Sequence, residues 1–417
     1  MDATIKQAQH IIHTLKNGVV PKEGIELFRV GRDAELNEIK RSLDYISEGN
    51  SMVKFVAGEY GAGKSFFLNA VKQLAADHHF LVAKLQIDNG FRFNSLDVLY
   101  YNIMHNLYSS SSGSEVTGFE ELFRHWLNKL QAMENKEAAS AEILRLINSL
   151  NVHNQSYARA FLSYIKAYIA GDRELSGAAA SWLTGEKNVP AALKARFETI
   201  GSIDKTNSMD FLKTFLKLIN QLEYKGLVIL VDELELVMNE RSDIRKNSYE
   251  NLRTIIDACG AAELPNCMFV FAGTHELFEN TERGIRTYEA LSQRLGNAID
   301  KYNQSLTDIR QPIIRLHRFT RDQLQTLTDI LVDLYHKAYD LTPSISTESI
   351  TSWVLLCCKK FGSKISELTP REYIVKLVEI LDIMEQHPEN TLFRAELATV
   401  QKGRQEFFIN NSLKGRN

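Results

Sequence analysis

The octapeptide GEYGAGKS, Gly58 to Ser65, constrains this chain more than any other stretch, because it fits the pattern G-x-x-x-x-G-K-[S/T]. The apolar run "MVKFVA" precedes it, and "KSFFLNAVKQLAA", with apolar residues at helical spacing, follows. A second apolar run, "HFLVAKLQID", comes next. Strand, glycine-rich turn, helix and strand make a βαβ unit, which calls for a parallel sheet with helices on both faces. The glycines permit positive φ angles, so successive backbone N–H groups can curl around an anion. The helix beginning near Lys64 adds the positive end of its dipole. On this reading Gly58, Tyr60, Gly61, Ala62, Gly63, Lys64, Ser65 and Phe66 form a loop that holds the phosphates of ATP. Lys64 would reach the β- and γ-phosphate oxygens, and the Ser65 hydroxyl would bind Mg²⁺. The plain alternative is a flexible glycine-rich turn.

A loop that holds ATP also needs a metal site and a group that activates water. "GLVILVDELE" reads as a buried strand, Gly226 to Val231, ending in Asp232-Glu233. Open α/β sheets bind ligands beyond the carboxyl ends of their strands. Asp232 is therefore the candidate to hold Mg²⁺, through water, and Glu233 the candidate to orient and deprotonate the attacking water. An acidic pair capping a turn is the ordinary alternative. "CMFVFAGTHELF" ends its strand at Gly273-Thr274, where Thr274 is a candidate reader of the γ-phosphate or the water, against common strand-end turn chemistry. His275 reads as a solvated loop residue.

The chain's 417 residues exceed what one compact core usually contains. A stripe of Ile5, Ala8, Ile12 and Leu15 predicts an N-terminal helix stopping near Gly18, and Asp33 is the expected N-cap of a helix reaching about Ser47. Residues 1–93 thus carry an N-terminal helix and the first part of the sheet. From Asn94 to Leu222 strand signals vanish, and five segments with helical periodicity predict a helical insertion over 94–222. "SSSSGS" (Ser109–Ser114) and "GEKNVP" (Gly185–Pro190) read as its loops. "GLVILV", "CMFVFAG" and "QPIIRLHRF" bring the parallel sheet to five strands within 223–319, and 320–417 reads as a C-terminal helical lid and tail.

A net charge of −3 and a pI near 6.4 argue against coating nucleic acid by bulk charge. The longest apolar run, "GLVILV", is too short to span a bilayer, and the polar N-terminal pattern has no signal-peptide core. Cys259, Cys267, Cys357 and Cys358 lack metal-ligand spacing, which predicts reduced, interior thiols and a cytoplasmic protein with no membrane partner.

These parts together resemble the AAA+ ATPases, and among them the initiator-like branch of origin-recognition proteins. The resemblance covers the phosphate loop, the acidic strand, the polar strand end, "ALSQRLG" (Ala290–Gly296) and "TPREY" (Thr369–Tyr373). It implies Arg294 as an arginine finger near a neighbouring subunit's nucleotide, and Arg371 as the lid arginine that reaches the nucleotide. Arg283 and Arg286 compete for the first role, and a surface salt bridge is the alternative for Arg294. "VGRDAEL" resembles the box-two element beside adenine, where Val30 and Gly31 would supply backbone and apolar contacts. More closely still, "NGVVPKEGIELFRVGRDAEL", "GEYGAGKSFFL" and "GLVILVDELE", with a long helical insert between them, resemble the BREX-associated P-loop ATPases of the BrxD type, which accompany bacterial phage-defence systems. No winged-helix-sized stretch follows Arg371, so the initiators' DNA-binding module is expected to be missing, and the insertion has no counterpart in them.

The resemblance implies an ATP-hydrolysing switch or motor, homo-oligomeric, acting on DNA or on a defence-system partner. A nucleotide-gated assembly scaffold with little hydrolysis is the main alternative, and a small-molecule phosphotransferase, which would not need Glu233, is a third. Arg394, Lys402, Arg404, Lys414 and Arg416 make a mildly basic tail, read either as a DNA contact or as a solvated helix face.

Overall fold

The computed structural model describes residues 3–111, 114–222, 224–295, 308–340, 345–360 and 368–387. The basic tail and Gly296 lie outside the described residues. In chain order the elements begin with α1 (Ile5–Lys16), α2 (Asp33–Ser47), β1 (Ser51–Ala57), α3 (Lys64–Asp77), β2 (Leu81–Gln86) and α4 (Leu96–His105). A hairpin of β3 (Leu107–Ser111) and β4 (Ser114–Thr117) follows. Then come α5 (Phe119–Ala132), α6 (Lys136–His153), α7 (Gln155–Ala170), α8 (Arg173–Leu183), α9 (Ala191–Arg196) and α10 (Ser208–Gln221). The sheet resumes with β5 (Leu227–Asp232), α11 (Ser242–Gly260), β6 (Cys267–Gly273), α12 (His275–Glu279), α13 (Glu289–Leu295) and β7 (Ile313–Arg315). Three helices, α14 (Arg321–Tyr339), α15 (Thr347–Lys360) and α16 (Pro370–Gln386), complete the described part. The chain divides into two compact units, Glu35–Ala57 with Ala70–Arg315, and Met1–Ala34 with Gly58–Asn69 and Leu316–Asn417.

The larger unit is built on a sheet of order β4-β3-β2-β5-β6-β1-β7, seven-stranded among the described residues. The five strands expected from apolar runs, β2, β5, β6, β1 and β7, are all parallel. Every residue of β5 and β6 is buried, as strands covered on both faces require. The expectation of five strands misses β3 and β4, which lie in the segment read as helical and take up Ser109–Ser111 and Ser114 of the predicted loop. Serine carries little strand propensity, so the signal is absent locally. Pairing supplies it: Val82 and Ala83 of β2 are in register with Tyr108 and Leu107, antiparallel. The Tyr108 hydroxyl donates to Glu115 Oε1 at 2.8 Å across the hairpin, and the Lys72 ammonium lies 3.4 Å from its ring centre.

Between this hairpin and β5 the insertion packs as helices around aromatic side chains. Phe161 meets Phe123 with ring centroids 4.9 Å apart, and Trp182 meets Phe211 at 5.5 Å. Their core is continuous with that of the sheet. Phe161→Ala is expected to cost about 3–5 kcal/mol of stability, as for other buried phenylalanines. Urea unfolding would measure it, and a loss below about 1 kcal/mol would contradict close packing at this position.

The smaller unit is helical. The buried face of α1 is Ala8, Ile11, Ile12 and Leu15, an i, i+3, i+4, i+7 stripe. Ile5, expected in that stripe, is 59% exposed although it lies on the same side of the helix one turn before Ala8. The stripe packs against Leu327, Leu331 and Tyr335 of α14 and Leu377 and Leu381 of α16. Gln9 Nε2 donates to the Ala338 carbonyl at 3.1 Å, and Lys16 pairs with Asp382 at 2.6 Å. The N-terminal helix therefore shares a core with α14 and α16. No helix among the described residues is long and apolar enough to cross a membrane. Cys259, Cys267 and Cys358 are buried and Cys357 is half-buried.

Candidate functional site

Within the smaller unit the loop after β1 has Gly61 at φ +79° and Gly63 at φ +93°. A Cβ on Gly61 would stand 2.8 Å from Thr369 Oγ1, so both space and backbone exclude a side chain there. Five of the loop's carbonyls, those of Gly58, Glu59, Gly61, Ala62 and Gly63, are held by donors. Lys64 Nζ donates to the Gly58 carbonyl at 3.1 Å, and the Ala62 N–H to that of Glu59 at 3.1 Å. The Arg371 N–H reaches the Gly61 carbonyl at 3.4 Å, Arg32 Nη2 that of Ala62 at 3.2 Å, and the Phe67 N–H that of Gly63 at 2.8 Å. Carbonyls engaged in this way turn the N–H groups that follow them in the opposite direction. The first turn of α3 adds N–H groups that no helical carbonyl can satisfy. Lys64 is buried, with its ammonium 5.0 Å from the centre of the largely exposed Tyr60 ring. Ser65 and Phe66 follow at the helix start, and the Phe66 ring lies 5.3 Å from that of Phe28. Val30 is buried in the same unit, and Gly31 comes so close to Gln323 that a Cβ would stand 2.5 Å from its Nε2.

The expected helix start "TPREY" is α16, where Thr369 caps the helix through a capping box with Glu372 and Pro370 occupies the first turn. This fixes Arg371 in the first turn. Its backbone bonds to Gly61, and its guanidinium Nε lies 3.0 Å from where a Cβ on Gly18 would stand. The loop and Arg371 are thus brought together.

In the larger unit β6 lies between β1 and β5, with Ala57 in register with Gly273 and Val231 with Phe271. The carboxyl ends of these strands share one edge, and at ~4.8 Å per strand β1 and β5 are roughly 10 Å apart. Asp232 ends β5 and is only 4% exposed. Glu233 follows at φ +60°, ψ 35°, and its N–H donates to Asp232 Oδ1 at 3.0 Å. The left-handed region costs a residue with a Cβ about 1–2 kcal/mol. Thr274, buried, is the N-cap residue of α12 directly after β6. Lys84 of β2, two residues before the partner of Asp232, has its pKa pushed down by burial, an effect the Asp232 charge opposes.

Arg294 is held within its own unit. Its Nη2 donates to Asp257 Oδ2 at 2.8 Å, its Nε to Asp257 Oδ1, and its Nη1 to the Ala290 carbonyl at 2.6 Å. These hydrogen bonds keep the Asp257 carboxyl below the usual carboxylate range. Of the competing arginines, Arg286 donates to the Phe278 carbonyl at 3.3 Å, and the Arg283 carbonyl accepts from the Tyr249 hydroxyl at 2.6 Å. The sequence reading missed two residues. Arg32 clamps the loop and is marked only by following Gly31. Glu235, 3% exposed, puts Oε2 within 3.5 Å of where a Cβ on Gly273 would stand, and only its spacing from Asp232 hinted at it.

Among the described residues no group of three or more His, Cys, Asp or Glu could hold a metal ion. The architecture defines a mixed α/β protein built on a mostly parallel sheet flanked by helices. The chain belongs to the family of BREX system ATP-binding proteins BrxC/D, whose family model matches residues 4–399. It is an ATP-binding protein of a phage-defence system. None of the curated proteins compared with the chain matches it.

Proposed function

We propose that the chain hydrolyses ATP and uses the cycle as an AAA+-type switch or motor on DNA or on a partner protein of the defence system. In this reading it works in the cytoplasm as a homo-oligomer. The observation that carries hydrolysis is Glu233, a carboxylate kept in a left-handed backbone conformation directly after a buried strand ending in Asp232. Glycine would adopt that conformation at lower cost, and strain of this kind persists at sites of function. Lys64 and the loop N–H groups bind the phosphates, and Ser65 and Asp232 hold Mg²⁺. Val30 and Gly31 flank the adenine. Glu233 takes the proton of the attacking water, Thr274 orients that water or the γ-phosphate, and Arg371 reaches the nucleotide from the lid. Bound Mg²⁺ neutralises charge on the phosphate oxygens.

Arg294, supplied by a neighbouring subunit, is the proposed cation beyond the γ-phosphate. Its engagement by Asp257 within the protomer favours a second reading, a nucleotide-gated scaffold that hydrolyses little until assembly exchanges this partner. Steady-state phosphate release with and without DNA, run beside a measurement of particle size with and without ATP, separates the two. The switch or motor predicts sustained release. ATP-dependent assembly without release would instead establish the scaffold.

A further inference from the structure

Arg32 is 4% exposed, an unusual place for a guanidinium. Its Nη2 donates to two carbonyls, Ala62 at 3.2 Å and His317 at 2.9 Å, and its carbon centre lies 5.1 Å from the Phe319 ring centroid. Burying a charge is costly unless its hydrogen bonds are satisfied, so these partners hold the side chain in one geometry. A trans peptide is planar, with its C=O and the following N–H pointing in opposite directions. Anchoring the Ala62 carbonyl therefore sets the direction of the Gly63 N–H, away from Arg32. Gly63 sits at φ +93°, a conformation that lets this peptide turn, and its N–H makes no hydrogen bond among the described residues.

We propose that Arg32 is a positioning residue, which locks the Ala62–Gly63 peptide so that the Gly63 N–H is presented to the oligophosphate of ATP. This rests on reading residues 58–65 as the phosphate loop. Such a role is independent of the base, so it is tested with inorganic tripolyphosphate, ATP and adenosine as competitors of a fluorescent ATP analogue. Arg32→Gln is expected to weaken tripolyphosphate and ATP by the same factor, about tenfold or more, the worth of one hydrogen bond to a charged group. Adenosine should compete as it does against the wild type. Unchanged tripolyphosphate affinity, or adenosine weakened as much as ATP, would overturn the proposal, the latter because general damage or a base contact would then explain the loss.

Lys64→Ala is run alongside. If it too binds tripolyphosphate like the wild type, the phosphate-loop reading itself falls. If only Arg32→Gln does so, that reading stands and Arg32 has no part in it. The wild-type chain supplies a test that needs no variant to fold. Tripolyphosphate should slow amide exchange at Gly63 at least about tenfold, as a new hydrogen bond protects it. An unaltered rate at Gly63 in the ligand-saturated protein would also overturn the proposal.

Discussion

Glu233→Gln is expected to bind ATP as the wild type does and to hydrolyse it about 100-fold more slowly or worse, the loss typical of a missing general base. Glutamine keeps the size of the side chain and its backbone position, so only the proton acceptor is removed. The assay pairs analogue binding with phosphate release. Wild-type turnover in this variant would remove Glu233 from the mechanism. Glu233→Gly gives a second readout of opposite sign. It relieves the φ +60° strain and should leave stability unchanged or up to about 1 kcal/mol higher while abolishing hydrolysis. Arg294→Ala should likewise bind ATP and turn it over poorly. If the site is completed between subunits, mixing it with Glu233→Gln restores part of the activity, because some interfaces then contain both intact groups. Mixed assemblies that form but stay inactive would count against a shared site.

Lys64→Ala is expected to lose ATP affinity by about 100-fold, roughly 3 kcal/mol, since one ammonium makes charge-assisted hydrogen bonds to two phosphates. The fold should survive. Lys64 lies in the first turn of α3, where alanine is a good helix former, and its bonds to the Gly58 and Glu59 carbonyls within the loop are modest. Circular dichroism checks the helices, and titration with a fluorescent ATP analogue checks the site. Lys64→Arg is the informative companion. A guanidinium keeps the charge but not the compact three-donor head, so a large loss here would show that shape as well as charge matters. An undiminished affinity in Lys64→Ala would end the assignment of residues 58–65 to phosphate.

Much of the fold was legible before any coordinates because its signals are local. Unbroken apolar runs mark β2, β5 and β6, shorter or interrupted ones mark β1 and β7, and a turn of three glycines after β1 marks the loop. Thr369, Pro370 and Glu372 lie within one helical turn, so the cap of α16, and with it the place of Arg371, could be read directly. Family membership follows from the chain as a whole and agrees with the BrxD-type resemblance.

What tertiary structure alone decided are the pairings made at a distance. The β3–β4 hairpin exists because β2 offers an edge to a serine-rich segment with weak preferences of its own. α1 joins α14 and α16 because its apolar stripe needs a surface to cover, and nothing in the stripe says which. Asp257 holds Arg294 across 37 residues, and the Ala62 carbonyl engages Arg32 across 30. Periodicity and turn chemistry act over a few residues and are written in order along the chain. An ion pair or a carbonyl clamp depends on which segments packing brings within 3 Å, and that is decided only when the whole chain has folded.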